Sequence, residues 1–413
     1  MYISTVTFLA SLASCGLFYF FQRDSAKSKD ILWLIYLTIF GFAAYLFFSK
    51  VIYRMQHAEV WDFTAFFLYG KVAASGLDFY KPENFHQVFD SLRLSLPDNS
   101  FVREVVDVGF PYPPQTILYF VPLGFMSYNT ALVAWTLFNL FFVFACIYLV
   151  YDQFFKAHKV NGLVLVATLF FILSPGRETV LYSQTNFILL FYLLLIRKYS
   201  DNKIAGVFLA LAIFTKPYMA ILGLYFLFKK KWSAITYFIV SSAVITGLVF
   251  IFFGMQPFIS YVLDNPSHRI PTFVFSEDVN QSLHATLLRL NIVSLEGPSY
   301  LYILAGILCI TGIYSIFLAR RRQYDYLLAL LLLVGLLLYP GTVSGYGVVL
   351  LFIVFQFFGE DQQAKFNPYL TALLIGLFYL LSTFSVFLSI CFLIAIITAK
   401  SLKPTKLPVP VPV

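Results

Sequence analysis

The sequence predicts an all-α fold, a polytopic transmembrane bundle of about 12 to 13 helices. Of the 413 residues, 60% are hydrophobic and only 12% are charged, whereas soluble domains carry about 25% charged residues. Apolar stretches of about 17 to 25 residues recur along the chain, which is the length that a helix needs to cross a bilayer. The 49 Phe and 28 Tyr residues fit lipid-facing helices with aromatic anchors at the membrane interfaces.

Basic residues occur in short clusters between the apolar stretches. This placement is the positive-inside pattern, in which Lys and Arg mark the cytoplasmic loops. It argues against a nucleic-acid partner despite the net charge of +8, since the basic residues do not follow one polar face. The clusters are Arg23/Lys27/Lys29, Lys156/Lys159, Arg197/Lys198/Lys203, Lys229/Lys230/Lys231, Arg320/Arg321/Arg322, Lys365 and Lys400/Lys403/Lys406.

With every cluster on the cytoplasmic side, the chain is expected to form a single membrane domain over residues 1–413, with its N-terminus outside and its C-terminus inside. The region 1–30 holds an additional helix, predicted to be retained because a basic leader segment and a clear cleavage site are missing. The predicted helices are 3–21, 31–53, 129–151, 161–175, 184–197, 203–215, 217–229, 233–253, 299–318, 325–340, 345–358, 367–380 and 383–399.

Two long segments are predicted to lie outside the membrane on the extracytoplasmic side, residues 54–128 and 254–298. Within the first, residues 113–126 are apolar but short and contain three prolines, so we expect a re-entrant or interfacial helix on the outer face. Loops of this length in a compact protein are usually functional, and we expect the active site there. The four cysteines lie in apolar stretches without metal-ligand spacing and are expected to be buried small hydrophobic residues.

Asp62 is the first candidate for catalysis. It follows the second helix directly, and an ionisable group between Trp61 and Phe63 at a membrane surface is costly unless it has a function. A partly apolar setting raises the pKa of a carboxyl group, which suits a general base that takes a proton from a hydroxyl group. The alternative interpretation is an interfacial aspartate that caps a helix. Glu59, one turn earlier, is the alternative carboxylate.

Cations form a second group of candidates. Arg177 is a lone cation on the predicted outer side, where it could bind an anion. Lys216 lies in a tight apolar hairpin and needs a counter-charge, which is either a protein carboxylate or a bound phosphate. His268 and Arg269 in the second loop could join them in neutralising a phosphate group, or they could belong to an ordinary solvated loop.

Further polar residues lie next to these positions. Asp78 follows Gly76, which predicts the end of a helix, and helix–helix hydrogen bonding is an alternative role for Gln184 and Asn186. No phosphate-binding loop, dinucleotide glycine motif or metal-ligand cluster is found in the sequence, so we expect no cofactor and no metal. The candidates for substrate contact are Glu59, Asp78, Tyr112, Gln184, Asn186, Asn280 and His284.

In this order, the motifs resemble glycosyltransferase family 87 of the GT-C superfamily, which includes bacterial polyprenyl-phosphate-mannose-dependent mannosyltransferases. The resemblance spans about residues 55 to 290 and rests on several weak motifs in a fixed order. The motifs are Trp61-Asp62-Phe63, Gly76-Leu77-Asp78-Phe79-Tyr80, Tyr112-Pro113-Pro114 with Pro122-Leu123, Ser183-Gln184-Thr185-Asn186, which is similar to the family's Gly-Gln-x-Asn, Ala205-Gly206 with Lys216-Pro217, and Asn280-Gln281-Ser282.

The resemblance implies a GT-C type bundle in the cell (inner) membrane with its active site on the extracytoplasmic side. It implies a sugar donor linked to polyprenyl phosphate, a glycolipid or glycan acceptor and inversion at the anomeric carbon. Asp62 would be the catalytic base. The candidates for the donor phosphate would be Lys216, Arg177, His268 and Arg269.

The sequence departs from the family at two places. The late loop 339–346 keeps Pro and Ser but lacks the Trp and His that relatives often have, and Ser183 replaces the usual Gly. A transporter, a flippase or a polymerase of lipid-linked saccharides is the alternative function. The expected placement of the charges at one face favours an enzyme over a transporter, which would carry ionisable residues deep in several helices.

Overall fold

The computed structural model describes residues 2–23, 29–56, 61–92, 106–264, 280–294, 299–363 and 368–402. Within these residues the regular secondary structure is helical, apart from one isolated antiparallel bridge between Asn280 and Val343. The predicted all-α fold class is confirmed.

The helices lie close to the positions that the apolar stretches predict. Short 3-10 segments occur at Pro114–Tyr119, Lys156–His158, Pro217–Leu222 and Ser344–Leu350. The helices are α1 (Tyr2–Arg23), α2 (Lys29–Gln56), α3 (Trp61–Ala74), α4 (Pro82–Leu92), α5 (Tyr128–Val150), α6 (Lys159–Ile172), α7 (Ser174–Leu181), α8 (Asn186–Lys198), α9 (Ala205–Thr215), α10 (Gly223–Phe228), α11 (Trp232–Phe253), α12 (Gln256–Leu263), α13 (Leu283–Arg289), α14 (Ser299–Arg320), α15 (Tyr324–Leu338), α16 (Leu351–Gln363), α17 (Pro368–Phe384) and α18 (Val386–Ser401).

Local sequence signals set several of the helix ends. Serine side chains cap α5, α13 and α18, because Ser127, Ser282 and Ser385 each accept a hydrogen bond from a backbone N–H in the first turn. The predicted helix 161–175 is wrong at its end. Leu173 is extended, with ψ of 121°, and a separate helix begins at Ser174 with Pro175 in its first turn, where proline fits best.

Long apolar helices make the protein a multi-pass membrane protein. Among the residues that the structure describes, four segments are long and apolar enough to cross a bilayer: Ile31–Gln56, Tyr128–Ile172, Trp232–Phe253 and Ser299–Arg320. A 22-residue helix such as α11 is about 33 Å long, which matches a hydrocarbon core of about 30 Å. Side chains such as Ile251 and Phe252 on α11 are exposed, as expected for a lipid-facing surface.

Ion pairs bring several of the basic clusters together. Lys156 and Lys198 both pair with Asp152, at 3.2 and 2.8 Å, and Arg197 lies 3.5 Å from Asp325. The loop after α8 contacts the turn before α11, since Asp201 pairs with Lys229 at 3.2 Å and with Lys231 at 2.7 Å. The end of α14 contacts the end of α18, since the Arg321 guanidinium donates to the Ser401 carbonyl oxygen at 2.8 Å. These helix ends therefore form one basic end of the bundle.

The position of the basic end shows how α9 and α10 run. Lys203 precedes α9 and is two residues after Asp201, and Lys229, which follows α10, pairs with Asp201 at 3.2 Å. The chain between them leaves the basic end through α9, turns at Lys216 and returns through α10. The predicted hairpin with Lys216 at its tip is present.

Residues 113–126 do not form a membrane-crossing helix. A six-residue 3-10 segment (Pro114–Tyr119) and a four-residue α-helix (Val121–Gly124) occupy this stretch. At about 2.0 Å per residue or less, both are far shorter than a bilayer. The stretch packs on α3, where Gly70 and Gly124 allow the two backbones to touch. A Cβ atom on Gly124 would lie 2.2 Å from the Gly70 carbonyl oxygen.

We predict that Gly206→Ala destabilises the protein by about 1–3 kcal/mol, because a Cβ atom there would lie 1.9 Å from the Ala234 carbonyl oxygen and force α9 away from α11. Thermal unfolding in detergent, followed by circular dichroism, measures the change. Gly247→Ala on α11 is the matched control, since a Cβ atom there meets nothing within 4 Å. Equal melting temperatures for wild type and Gly206→Ala would contradict the close packing of these two helices.

Candidate active site

Asp62 lies in the first turn of α3, where the N-terminal end of the helix dipole favours a carboxylate. Its side chain is half-buried, and its Oδ2 atom accepts a hydrogen bond of 2.8 Å from the Gln184 side-chain amide. Burial raises the pKa of the Asp62 carboxyl, while this hydrogen bond and the charges of Lys216 and Arg54 act in the opposite direction. The net result is a raised pKa.

A chain of hydrogen bonds fixes the orientation of Gln184. Its Oε1 atom accepts from the Asn186 side-chain amide at 2.7 Å, and the same amide donates to the Thr179 hydroxyl at 3.1 Å. That hydroxyl donates to the Gly345 carbonyl oxygen at 3.1 Å. Because Oε1 is already occupied, the amide group of Gln184 must point towards Asp62.

Lys216 lies at the tip of the α9–α10 hairpin. Pro217 disfavours a helical conformation for the residue before it, and Lys216 is extended, with φ of −148° and ψ of 118°. The side chain is 6% exposed, and its ammonium donates a 2.7 Å hydrogen bond to the Tyr346 hydroxyl. It also interacts electrostatically with Asp62. The sequence left open a carboxylate or a phosphate as its counter-charge, and the structure brings the carboxylate of Asp62 near.

Aromatic rings surround the Lys216 ammonium. The nitrogen lies 5.0 Å from the ring centre of Tyr112 and 4.9 Å from that of Tyr346, distances that allow cation–π attraction. Tyr218 and Tyr339 continue the cluster, with ring centres 5.2 Å apart. The predicted candidate Tyr112 is thus part of the site, whereas Tyr346, Tyr218 and Tyr339 were not predicted.

Arg54 is a further charged residue that the sequence analysis missed. It lies at the end of α2 with no exposed surface, its Nε atom donates a 2.8 Å hydrogen bond to the Ser183 hydroxyl, and it interacts electrostatically with Asp62. The sequence did contain a signal for Arg54, because it is a cation at the predicted outer end of a helix. Arg177 was chosen as a candidate for the same reason.

Asp78 and Asn280 join loop segments to each other. Asp78 accepts a 3.0 Å hydrogen bond from the Tyr80 backbone N–H and a 2.6 Å bond from the Ser260 hydroxyl, which ties the loop after α3 to α12. Asn280 is 1% exposed, donates to the Pro340 carbonyl oxygen at 2.8 Å and accepts from the Ser282 N–H at 3.1 Å. Gly76 has φ of 72° just after α3, which confirms the predicted helix end.

Arg177 and His284 lie on two further helices. Arg177 is buried on α7 and interacts electrostatically with its neighbour Glu178. His284 on α13 stacks on Tyr300 with ring centres 4.0 Å apart, and burial lowers the pKa of its imidazole. The candidates Glu59, His268 and Arg269 lie outside the described residues.

The site therefore unites residues from distant parts of the chain. The model of glycosyltransferase family 87 matches residues 110–345, which is more than half of the chain. The chain belongs to glycosyltransferase family 87. Comparisons with the curated proteins and with the solved structures find no match.

Membership of glycosyltransferase family 87 identifies a membrane glycosyltransferase, which acts on a sugar donor and an acceptor. The matched range contains Gln184, Asn186 and Lys216. Asp62 precedes that range, and its contact with Gln184 connects it to the matched part of the chain.

We predict that Gly345→Ala lowers the rate of glycosyl transfer about 100-fold. A loss of this size is the effect of an ångström-scale displacement of catalytic groups. A Cβ atom on Gly345 would lie 2.5 Å from Gln184 Oε1 and 3.1 Å from Asn186 Nδ2, so the two amides must shift from the positions in which they orient Gln184 towards Asp62. Incorporation of labelled sugar in membranes that contain each variant is the measurement. Gly223→Ala, where a Cβ atom meets nothing within 4 Å, serves as control. Normal transfer by Gly345→Ala would contradict the role of the hydrogen-bond chain that orients Gln184.

Proposed function

We propose that this enzyme transfers a sugar, mannose or a related hexose or pentose, from a polyprenyl-phosphate donor to a hydroxyl group of a lipid-linked or glycan acceptor, with inversion. The observation that carries the proposal is the pairing of an oriented, half-buried carboxylate, Asp62, with a buried ammonium, Lys216, in one site. The carboxylate can act as a base, and the ammonium can stabilise the negative charge of a phosphate leaving group.

Asp62 has the properties of a general base. Gln184 occupies its Oδ2 atom, while Oδ1 has no hydrogen-bond partner among the described residues and is available to an acceptor hydroxyl. The raised pKa of the carboxyl brings it closer to neutral pH, where proton transfer from a hydroxyl group is most efficient.

The reaction is a single displacement. The acceptor oxygen forms a bond with the anomeric carbon, its proton passes to Asp62, and the bond from the anomeric carbon to the phosphate oxygen breaks with its electron pair on the phosphate. Lys216 would offset the negative charge that develops there. Its ammonium donates to the neutral Tyr346 hydroxyl and lies beside two aromatic rings. The charge of Asp62, which acts on Lys216 electrostatically, is neutralised as that carboxylate takes up the proton, which leaves the ammonium charge to the phosphate.

The position of the site supports an extracytoplasmic reaction. Asn186 begins α8, and Arg197 and Lys198 end it at the basic end of the bundle, about 18 Å away along the helix axis. Lys216 likewise lies at the far end of α9 from Lys203. Because basic ends of membrane proteins face the cytoplasm, the site would open on the opposite side of the cell (inner) membrane.

We predict that Asp62→Asn and Asp62→Ala each lower transfer of radiolabelled sugar from polyprenyl-phosphate donors to membrane extracts by about 100-fold or more, because they remove the base. Purified variants are compared with wild type and with Asp90→Asn, an exposed aspartate on α4. The variants must still bind donor.

Activity retained by both Asp62 variants would rule out this residue as the base. If wild type transfers sugar from nucleotide sugars and not from polyprenyl phosphates, the donor assignment is wrong. Binding of lipid-linked saccharides without any transfer would instead favour the flippase or transporter function.

We also predict that kcat/KM rises with pH through the pKa of Asp62. The base works only when deprotonated, so activity is low below that pKa and reaches its plateau above it. Burial raises the pKa, so the acidic limb should lie above the ordinary carboxyl range of about 4. A pH–rate profile from acidic to neutral pH tests this, and a midpoint at or below the ordinary value would contradict the proposed environment of Asp62.

A further inference from the structure

The buried arginine at the end of α2 lacks a partner for most of its charge. Arg54 has no exposed surface, and neither Nη1 nor Nη2 has a hydrogen-bond partner among the described residues. Burying a cation is costly unless an opposite charge compensates it. The groups that interact with it electrostatically are the Tyr128 phenol and the Asp62 carboxylate.

Two chain segments hold Arg54 beside that carboxylate. Its Cζ atom lies 5.2 Å from the ring centre of Phe63, the residue after Asp62. Its Nε atom donates to the hydroxyl of Ser183, the residue before Gln184. Since Asp62 and Gln184 hydrogen-bond to each other at 2.8 Å, the guanidinium touches a neighbour of each partner in this bond.

The backbone conformation of Ser183 is one that glycine adopts more easily, so the hydroxyl group is what serine contributes at this position. Ser183 has φ of 59°, in the left-handed region that glycine adopts without steric cost. The Trp135 indole N–H donates to its carbonyl oxygen at 2.8 Å, a bond that glycine would preserve. What serine adds is the Oγ atom that accepts from Arg54.

We propose that Arg54 is a positioning residue for Asp62, whose buried guanidinium keeps the carboxyl ionised, and that Ser183 fixes the guanidinium in that position. The catalytic consequence rests on the proposed function of Asp62 as the base. Arg54 acts on Asp62 electrostatically and, among the described residues, without a hydrogen bond to it, so Arg54 leaves the Oδ1 atom of Asp62 available to the acceptor.

Other groups also act on Asp62 and must be kept constant in a test. The second cation is Lys216, and Gln184 supplies a neutral hydrogen bond. The phenols that interact with the carboxylate come from α3, from the residue after α7 and from the late loop: Tyr69, Tyr182 and Tyr346.

The experiment measures the ionisation of Asp62 directly. A hydrophobic carbodiimide reacts with protonated carboxyl groups, so labelling of the peptide that contains Asp62, quantified by mass spectrometry over a pH series, gives a midpoint without any need for transfer activity. The variants are Arg54→Gln, Arg54→Lys and Ser183→Gly. Lys50→Gln, which removes an exposed cation one turn earlier on α2, is the matched control.

For Arg54→Gln we expect the labelling midpoint to rise by about one pH unit, which lowers kcat/KM about tenfold at a pH well below the wild-type midpoint. Arg54→Lys keeps the charge and should shift the midpoint less. Ser183→Gly should shift it in the same direction while the backbone conformation is kept, because glycine accepts the positive φ. Lys50→Gln should match wild type.

An unchanged or lowered midpoint in Arg54→Gln overturns the proposal. If Arg54→Gln fails to fold, Ser183→Gly decides, and a wild-type midpoint in that variant overturns the proposal equally. Failure of the proposed function looks different: Asp62→Asn would still transfer sugar, while the labelling midpoints of the Arg54 and Ser183 variants would still report the effect of Arg54 on Asp62.

Discussion

The attraction between the Asp62 carboxylate and the cations Arg54 and Lys216 is the interaction on which the site depends. Each of these groups would be costly to hold in an apolar bundle by itself, whereas opposite charges compensate one another. The groups come from the end of α2, the start of α3 and the tip of the α9–α10 hairpin. Packing of these segments therefore assembles the charges, and the charges in turn favour this packing over alternatives that separate them.

Neutral groups turn this charge cluster into an oriented site. The amides of Gln184 and Asn186 connect Asp62 to the Thr179 hydroxyl and on to the Gly345 carbonyl oxygen, so the late loop contributes to the orientation of the base. The next residue of that loop, Tyr346, accepts the hydrogen bond of Lys216. Through its backbone and its phenol, the late loop therefore reaches both Gln184 and Lys216.

The distribution of charge along the helices separates two ends of the bundle. At one end, Lys and Arg side chains pair with Asp152, Asp201 and Asp325. Ion pairs near the surface contribute little stability each, but these pairs identify the basic end of the bundle. The site lies where α8 begins and α9 ends. A helix that is apolar along its length must place its ionisable groups at its two ends. The placement of charged residues along the sequence therefore indicates both the orientation of the chain in the membrane and the end of the bundle at which the site lies.

The sequence by itself determined the fold class, most helix positions, the hairpin at Lys216 and the candidates Asp62, Gln184, Asn186 and Tyr112. Apolar stretches and prolines act through neighbouring residues and the bilayer, so their effects can be predicted without knowing distant contacts. Only the tertiary structure decided that Asp78 and Asn280 join loops, that helix 161–175 ends before Pro175, and that Arg54, Tyr346 and Gly345 belong to the site. Arg54 and Ser183 are 129 positions apart. The sequence pattern carries no information on such a contact, because it arises from the packing of whole helices and not from local spacing.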